Sequence, residues 1–461
     1  MVMCGVHQYR YRAAAAIFAF ALAGSPDALF AQANVEAMQG VQFDFLAPGA
    51  RSLAMGGAFV AVADDATAAL SNPAGLSKLT RREVSLELRT RQFKVPFAFS
   101  GRLFGSPSGI GVDTVSTPTF QDASTSESNL AYLSIVFASP ERRWAAAAYR
   151  HATVSFSTNL RTAGPFAFQD DDDFRFFPAT GELQLDIVNY GFAGSYKMWR
   201  SCSDVSGARV CEDKVALGGG LSIYRFDIAS LSTRFRFVDF GTGPGGFYGA
   251  PQYTAESNHQ TLDGDETGIG VNLGMIVTPT RRLQLGLSHR RGTSFDFSAR
   301  NEGPTFTGYT REGTFAMPHV TTAGASFRLG AASVVAVDYS HVQYSRLTER
   351  FVDVFFNPAT DPAAEDRGAD FSVDNGDELH VGFEHQMVNM RWTPALRLGT
   401  WFDPAHAASA PIERNALFRP GDDAWHFTVG GGLVISRAEL SIGGDFSERG
   451  NIGSASLVWR F

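Results

Sequence analysis

From about Glu83 to Phe461, apolar and polar residues alternate with the period of a strand. In Leu283 to Arg290, Leu283, Leu285 and Leu287 share one face, and Gln284, Gly286, Ser288 and Arg290 share the other. Glu378 to Met387 sets Leu379, Val381, Phe383 and Met387 against Glu378, His380, Gly382, Glu384 and Gln386. Met390 to Phe402 sets Met390, Trp392, Leu396 and Leu398 against Arg391, Thr393 and Arg397, and Ala438 to Phe446 sets Leu440, Ile442 and Phe446 against Glu439, Ser441 and Asp445. Gly453 to Phe461 repeats the pattern, with Ala455, Leu457, Trp459 and Phe461 on the apolar side. Each run is close to the length of a tilted membrane strand, roughly 9–11 residues. Short turns are expected at Pro140–Arg143, Pro279–Arg282, Gly330–Ala331, Val388–Asn389 and Ser436–Arg437. Long polar stretches fall between them, near 159–182, 231–264, 298–318, 346–375 and 403–422.

A soluble sandwich also alternates. Here, however, the polar face carries full charges of both signs: Arg290, Asp338, Glu378, Glu384, Arg391, Arg397, Glu439, Asp445 and Arg460. Burying any of them alone would be costly. Around a wet or plugged lumen they can pair across neighbouring strands. Alternation of short turns with long loops is the membrane-barrel signature. Both chain ends on one side require an even strand number, and up to sixteen candidate strands are present. Glu83 to Thr117 is ambiguous, because Pro96, Gly101, Gly105, Pro107, Gly109 and Gly111 break the pattern.

One stretch is different. Gly49 to Leu79 is small, apolar and nearly uncharged until Asp64-Asp65, and it contains Asn72-Pro73-Ala74-Gly75. Pro73 stops a helix and pushes Asn72 to an extended conformation, and Gly75 can adopt a left-handed one. Asn34 to Leu46 has no clear period. Its Phe43 and Phe45 would pack into a plug or against a ligand.

This stretch resembles the N-terminal hatch of FadL-type outer-membrane transporters, on Asp64-Asp65-Ala66 and Asn72-Pro73-Ala74. Gly421-Asp422-Asp423-Ala424-Trp425 resembles that family's acidic turn before an aromatic strand start, and Phe461 resembles a C-terminal assembly signal. The resemblance implies an all-β fold: a transmembrane antiparallel β-barrel of fourteen strands, within a range of fourteen to sixteen, plugged by the hatch. It also implies passive uptake of a hydrophobic small molecule, such as a long-chain fatty acid or a hydrocarbon, through the bacterial outer membrane. Asn72, Pro73, Ala74 and Gly75 would form the gating turn. A lateral opening, which the family makes with a kinked early strand, would fall in Pro96 to Pro118. A PorV-type barrel, which serves as a partner in protein secretion, is the alternative. An open diffusion porin fits the plug poorly.

Composition sharpens the picture. The 461 residues include 39 Phe and 47 Gly, which suits aromatic girdles and close-packed interior strands. Mean hydropathy is −0.07, near the zero expected when strands alternate. No apolar run is long enough for a transmembrane helix. Residues 1–33 read as a signal peptide, with Arg10 and Arg12 before the apolar Ala13 to Gly24 and an Ala31-Gln32-Ala33 cleavage site. The organisation expected is signal 1–33, hatch 34–80 and barrel 81–461. Losing Arg10, Arg12 and Asp27 takes the net charge from −8 to −9, an acidic balance that argues against nucleic acid. The partners expected are the hydrophobic small molecule and outer-membrane lipid, with the protein a monomer.

Three cysteines are present, and Cys4 leaves with the signal. Cys202 and Cys211 remain as an even pair in an exported chain, which favours a local disulfide; no His lies between them to help hold a metal. No G-x-S-x-G or H-E-x-x-H occurs, so no enzyme and no cofactor are expected. His380 and His385 lie on opposite faces of one strand. Asp170 to Asp173 is either a solvated loop tip or a surface Ca²⁺ site. Phe166, Phe168, Phe174, Phe176 and Phe177 around it would form an apolar capture surface, similar to the loop groove of FadL-type proteins.

Overall fold

The computed structural model describes residues 43, 45–101, 118–138, 143–164, 166–169, 172–175, 178–205, 208–235, 253–304, 306–349, 372–388, 390, 392–406 and 422–461. Residues 1–33 (the expected signal), Phe176, Phe177, Arg391 and residues 102–117 of the stretch expected to hold the lateral opening lie outside them.

Two short helices, α1 (Ala50–Ala54) and α2 (Ala68–Ser71), and a 3-10 turn (Pro73–Lys78) precede the strands. The strands are β1 (Glu83–Gly101), β2 (Pro118–Phe137), β3 (Trp144–Thr162), β4 (Phe166–Gln169), β5 (Asp172–Arg175), β6 (Ala179–Val205), β7 (Ala208–Phe235), β8 (Glu256–Val277) and β9 (Leu283–Arg291). They continue as β10 (Ser294–Gly303), β11 (Phe306–Ala316), β12 (Val320–Leu329), β13 (Ser333–Val342), β14 (Gly376–Gln386), β15 (Thr393–Asp403), β16 (Ala424–Ile435), β17 (Ala438–Phe446) and β18 (Gly450–Arg460).

Sixteen of these form one antiparallel sheet, closed by β1 against β18 and by β8 against β9. Because β10 and β11 prolong the lines of β9 and β12, the wall has fourteen strands. No described helix is long and apolar enough to cross a membrane; the strands cross it. Leu285, Leu379, Leu396, Leu398, Leu440, Ile442, Phe446 and Trp459 point outward and are exposed, while Arg290, Glu378, Glu384, Arg397, Glu439 and Asp445 point into the bore and are buried. Exposed Trp144, Tyr196, Trp199, Trp392 and Trp459 ring the short-turn end, and Tyr339 and Trp425 mark the other side of the apolar belt.

Three expectations change. Strands β6 and β7, of 27 and 28 residues, run far past the belt, because polar outward residues such as Gln184 and Arg225 extend the ladder beyond the lipid. Residues 298–318 are not a loop. Most of them form the β10–β11 hairpin, whose ladder runs from Ser294↔Ala316 to Gly303↔Phe306. Pro96 does not break β1, which pairs with β2 from Glu83 to Gly101. The pairing of β1 with β18 ends at Phe93↔Gly450, so Pro96 lies on a free edge where no ladder donor is needed.

Candidate functional site

The lower bore is filled by residues 45–80, and the wall is shaped to receive them. A Cβ on Gly218 would sit 2.3 Å from the Ala74 nitrogen, and one on Gly274 would sit 2.1 Å from Asn72 Oδ1. Gly382, Gly399, Gly430 and Gly443 leave comparable room for Ala50 to Gly56. Charges then fix the hatch in place. Arg51, only 9% exposed, donates Nε and Nη2 to Glu384 at 2.8 and 2.9 Å and Nη1 to Asp64 at 2.5 Å. Arg397 joins Glu384 at 2.7 Å to Glu439 at 3.0 Å, and Arg460 joins Glu439 at 2.8 Å to Glu83 at 3.0 Å. Asp338 Oδ2 accepts the Phe59 and Val60 amides at 2.7 and 2.8 Å, and Glu87 Oε2 accepts the Gly49 amide at 2.7 Å.

Asn72, Pro73, Ala74 and Gly75 stand together at the short-turn end of the plug. Asn72 is fully buried and extended (φ −156°). Its Nδ2 donates to Val60 O at 2.9 Å and Met275 O at 3.2 Å, and its Oδ1 accepts the Ala74 amide at 3.2 Å. Gly75 is absent from the positive-φ residues. Its glycine is required by space instead, since a Cβ would sit 2.3 Å from Ala63 O. Just outside this turn is a cavity of about 400 Å³ lined by Lys78, Ala216, Ile276, Arg281 and Arg328.

Above the hatch the bore is packed with aromatic and aliphatic side chains, the chamber, although toward the end of β7 and the start of β8 it also buries Arg234, Asn258 and Gln260. Phe93, Phe97, Phe156, Leu185, Tyr224, Phe226, Phe295, Phe297 and Phe315 form one buried cluster, with Phe43 packed against it. Phe226 stacks on Phe295 (centroids 4.7 Å apart) and Phe315 (5.5 Å), and Phe93 stacks on Phe156 (5.1 Å). Phe43 stacks on both Phe45 and Phe315. Between this chamber and the hatch is a polar cavity of about 30 Å³, the size of a water or two, lined by Ser71, Ser288, Arg290, Thr322, Ser340 and Glu378. Arg290 is 9% exposed, its Nε has no hydrogen-bond partner among the described residues, and it lies within electrostatic reach of Tyr149 and Tyr224.

The wall is breached beside the chamber. Between β2 and β3 the ladder covers only Tyr132↔His151 to Phe137↔Ala146. Above it, among the described residues, β2 pairs with β1 alone, and the upper part of β1 buries Phe97 and Ala98. Thr162 Oγ1 anchors it by donating to Ala98 O and Phe99 O, both at 2.9 Å.

This architecture coincides with known proteins. The family described as "Outer membrane protein transport protein (OMPP1/FadL/TodX)" matches residues 31–447. The chain belongs to this family. A Pseudomonas aeruginosa FadL homologue superposes with a TM-score of 0.61 at 14% identity, covering 91% of this chain and 99% of the other. The P. putida toluene transporter TodX gives 0.55 at 15%, again covering 91% and 99%. The CymD monoaromatic hydrocarbon channel gives 0.53 at 14%, with the same coverage. No curated protein matches. This family member is therefore an outer-membrane channel for hydrophobic molecules, and its family consists of transport channels, not enzymes. By the general rule for outer-membrane barrels, the short turns are the periplasmic ones.

The remaining sequence-derived candidates are dispersed. Phe166, Phe168 and Phe174 lie on the extracellular β4–β5 hairpin, where Phe168 pairs with Asp173 and Phe174 with Ala167. Cys202 opposes Cys211 in the periplasmic β6–β7 extension, and Cys202 is disulfide-bonded. Nearby, hydrogen bonds from Lys214 and Arg281 hold the Glu212 carboxyl below its ordinary value. Among the described residues, no group of three His, Cys, Asp or Glu is placed to hold a metal. Sequence reasoning missed Arg290 as a distinct site residue and missed the chamber itself. The signal for the chamber was the alternate spacing of rings above the apolar belt: Tyr224 and Phe226 on β7, and Phe295 and Phe297 on β10.

Proposed function

We propose that this channel takes up long-chain monocarboxylic acids and other elongated apolar molecules passively, by way of the aromatic chamber. The observation that carries this reading is the chamber's position: apolar, stoppered below by the hatch, and flanked by the β2–β3 breach. Burial of each CH₂ contributes about 0.8 kcal/mol, so a long chain is held firmly and needs a way out. The sideways breach would provide one; a shift of the hatch at Asn72-Pro73-Ala74 would provide another. Extracellular Phe166, Phe168 and Phe174 would make first contact.

An acid head group is favoured by Arg290, a buried cation at the chamber floor whose Nε is unpaired among the described residues, beside hydroxyl side chains and Glu378. A carboxylate there gains a charge-assisted hydrogen bond. The test is extraction and mass spectrometry of the purified barrel, with binding titrations on Arg290→Gln. The substitution should weaken a C16 acid by roughly ten- to a hundredfold, a loss of about 1.5–3 kcal/mol being usual for a hydrogen bond to a charge, and leave hexadecane binding unchanged. Equal loss for both ligands would sink the acid reading. An empty chamber with a co-purifying protein would point instead to a secretion partner.

A further inference from the structure

The wall has a second interruption, on the β8 side of the chamber. Strand β8 pairs with β7 along its whole length. Its other edge does not behave this way. The ladder to β9 ends at Val271↔Arg291, and pairing resumes with β10 only at Asp263↔Ser298. Residues 264–270 and 292–297 face each other with no ladder between them. Both neighbouring strands jog at this height, β9 to β10 at Gly292-Thr293 and β11 to β12 at Met317-Pro318-His319. The jogs are tied together, with Met317 N donating to Thr293 O at 2.8 Å and Gly292 N to His319 Nδ1 at 2.9 Å.

The seam is closed by contact. Gly264 faces the Phe297 Cβ and Gly268 faces Thr293, with the Phe295 ring 3.1 Å from where a Cβ on Gly268 would lie. One side chain stands in for the missing ladder: Glu266 Oε2 accepts the Asp296 amide at 2.8 Å. On the inside are Phe295 and Phe297 of the chamber. On the outside, Ile269, 74% exposed, ends the apolar belt on β8, and the Arg225–Asp265 ion pair stands above it. Backbone groups without partners are not tolerated in hydrocarbon. At the outer-leaflet boundary water can serve them, and a strand pair held by few bonds can part there.

We propose that the seam between β8 and β9–β10 is a second side portal, through which small apolar molecules enter the chamber from the outer-leaflet interface. This rests on the reading of the chamber as an apolar binding site. Entry here and departure at the β2–β3 breach would give the chamber a mouth on either side.

The test pairs Gly268→Cys with Thr293→Cys across the seam. Val337→Cys with Val381→Cys, facing partners in the intact β13–β14 ladder, serves as the control. Entry of the fluorophore N-phenylnaphthylamine is followed in intact cells whose outer leaflet is lipopolysaccharide. Oxidative cross-linking of the seam should slow entry severalfold, and the control cross-link should not. Independently, Glu266→Ala should speed entry by about fivefold, the worth of one hydrogen bond at a barrier, which keeps the test alive if the cysteine pair does not fold. Unchanged entry in the cross-linked seam, or in Glu266→Ala, overturns the portal while leaving the chamber reading intact. Entry no faster than in cells lacking the channel, before any cross-link, overturns both.

Discussion

The two halves of the bore use the same wall for opposite purposes. The lower half is glycine where the hatch touches it and charged where the hatch is tied: Gly274 admits Asn72, and Glu384 holds Arg51. The upper half is lined by rings that stack on each other, Phe226 on Phe295 and Phe315. Charge and hydrogen bonding demand one geometry, so the lower half specifies a single docked plug. Apolar contact is less directional, so the upper half can accept guests of several shapes.

Substitutions should separate the halves. The largest effect is expected for Arg51→Ala, which takes from Asp64 its ion-pair partner and leaves Glu384 with Arg397 alone. Breaking one side of a buried pair costs about 3–5 kcal/mol. The hatch should loosen, seen as raised conductance in a planar bilayer and protease cleavage within 50–80, while the barrel still migrates as a folded band. A silent, protected channel would break the comparison. Phe226→Ala should do the reverse: about 3 kcal/mol lost from upper packing, weaker retention of an apolar probe, and no gain in conductance. Gly274→Ala is milder. Its new methyl group must displace Asn72, for about 1–3 kcal/mol, and should appear as partial hatch exposure with chamber affinity unchanged.

Much of this was legible in the sequence, and unevenly so. Period-two runs such as Glu378 to Gln386 revealed which side chains face lipid, because lipid and lumen impose opposite polarity on neighbours. The hatch was legible from composition and from Asn72-Pro73. Its partners were not: Arg51 meets Glu384 across 333 positions of chain, and no local pattern encodes that. The chamber was hidden for a different reason. Above the lipid belt the outward face turns polar, so Phe295 and Phe297 sit at the edge of what reads as a loop. Gly75 carries the same lesson at small scale, since its need for space rather than for an unusual φ depends on Ala63 lying opposite.

The closure between β1 and β18 has a consequence for how the molecule is made. The hatch precedes β1 in the chain yet ends up encircled by every wall strand, and Phe461 N completes the circle on Arg82 O at 3.0 Å. A stopper tied to Glu384, Asp338 and Glu87 by buried bonds cannot be threaded into a finished cylinder without breaking them. The plug must therefore be gathered in while the sheet is still an open, curling ribbon, and the joining of β18 to β1 acts as the clasp that locks the contents inside.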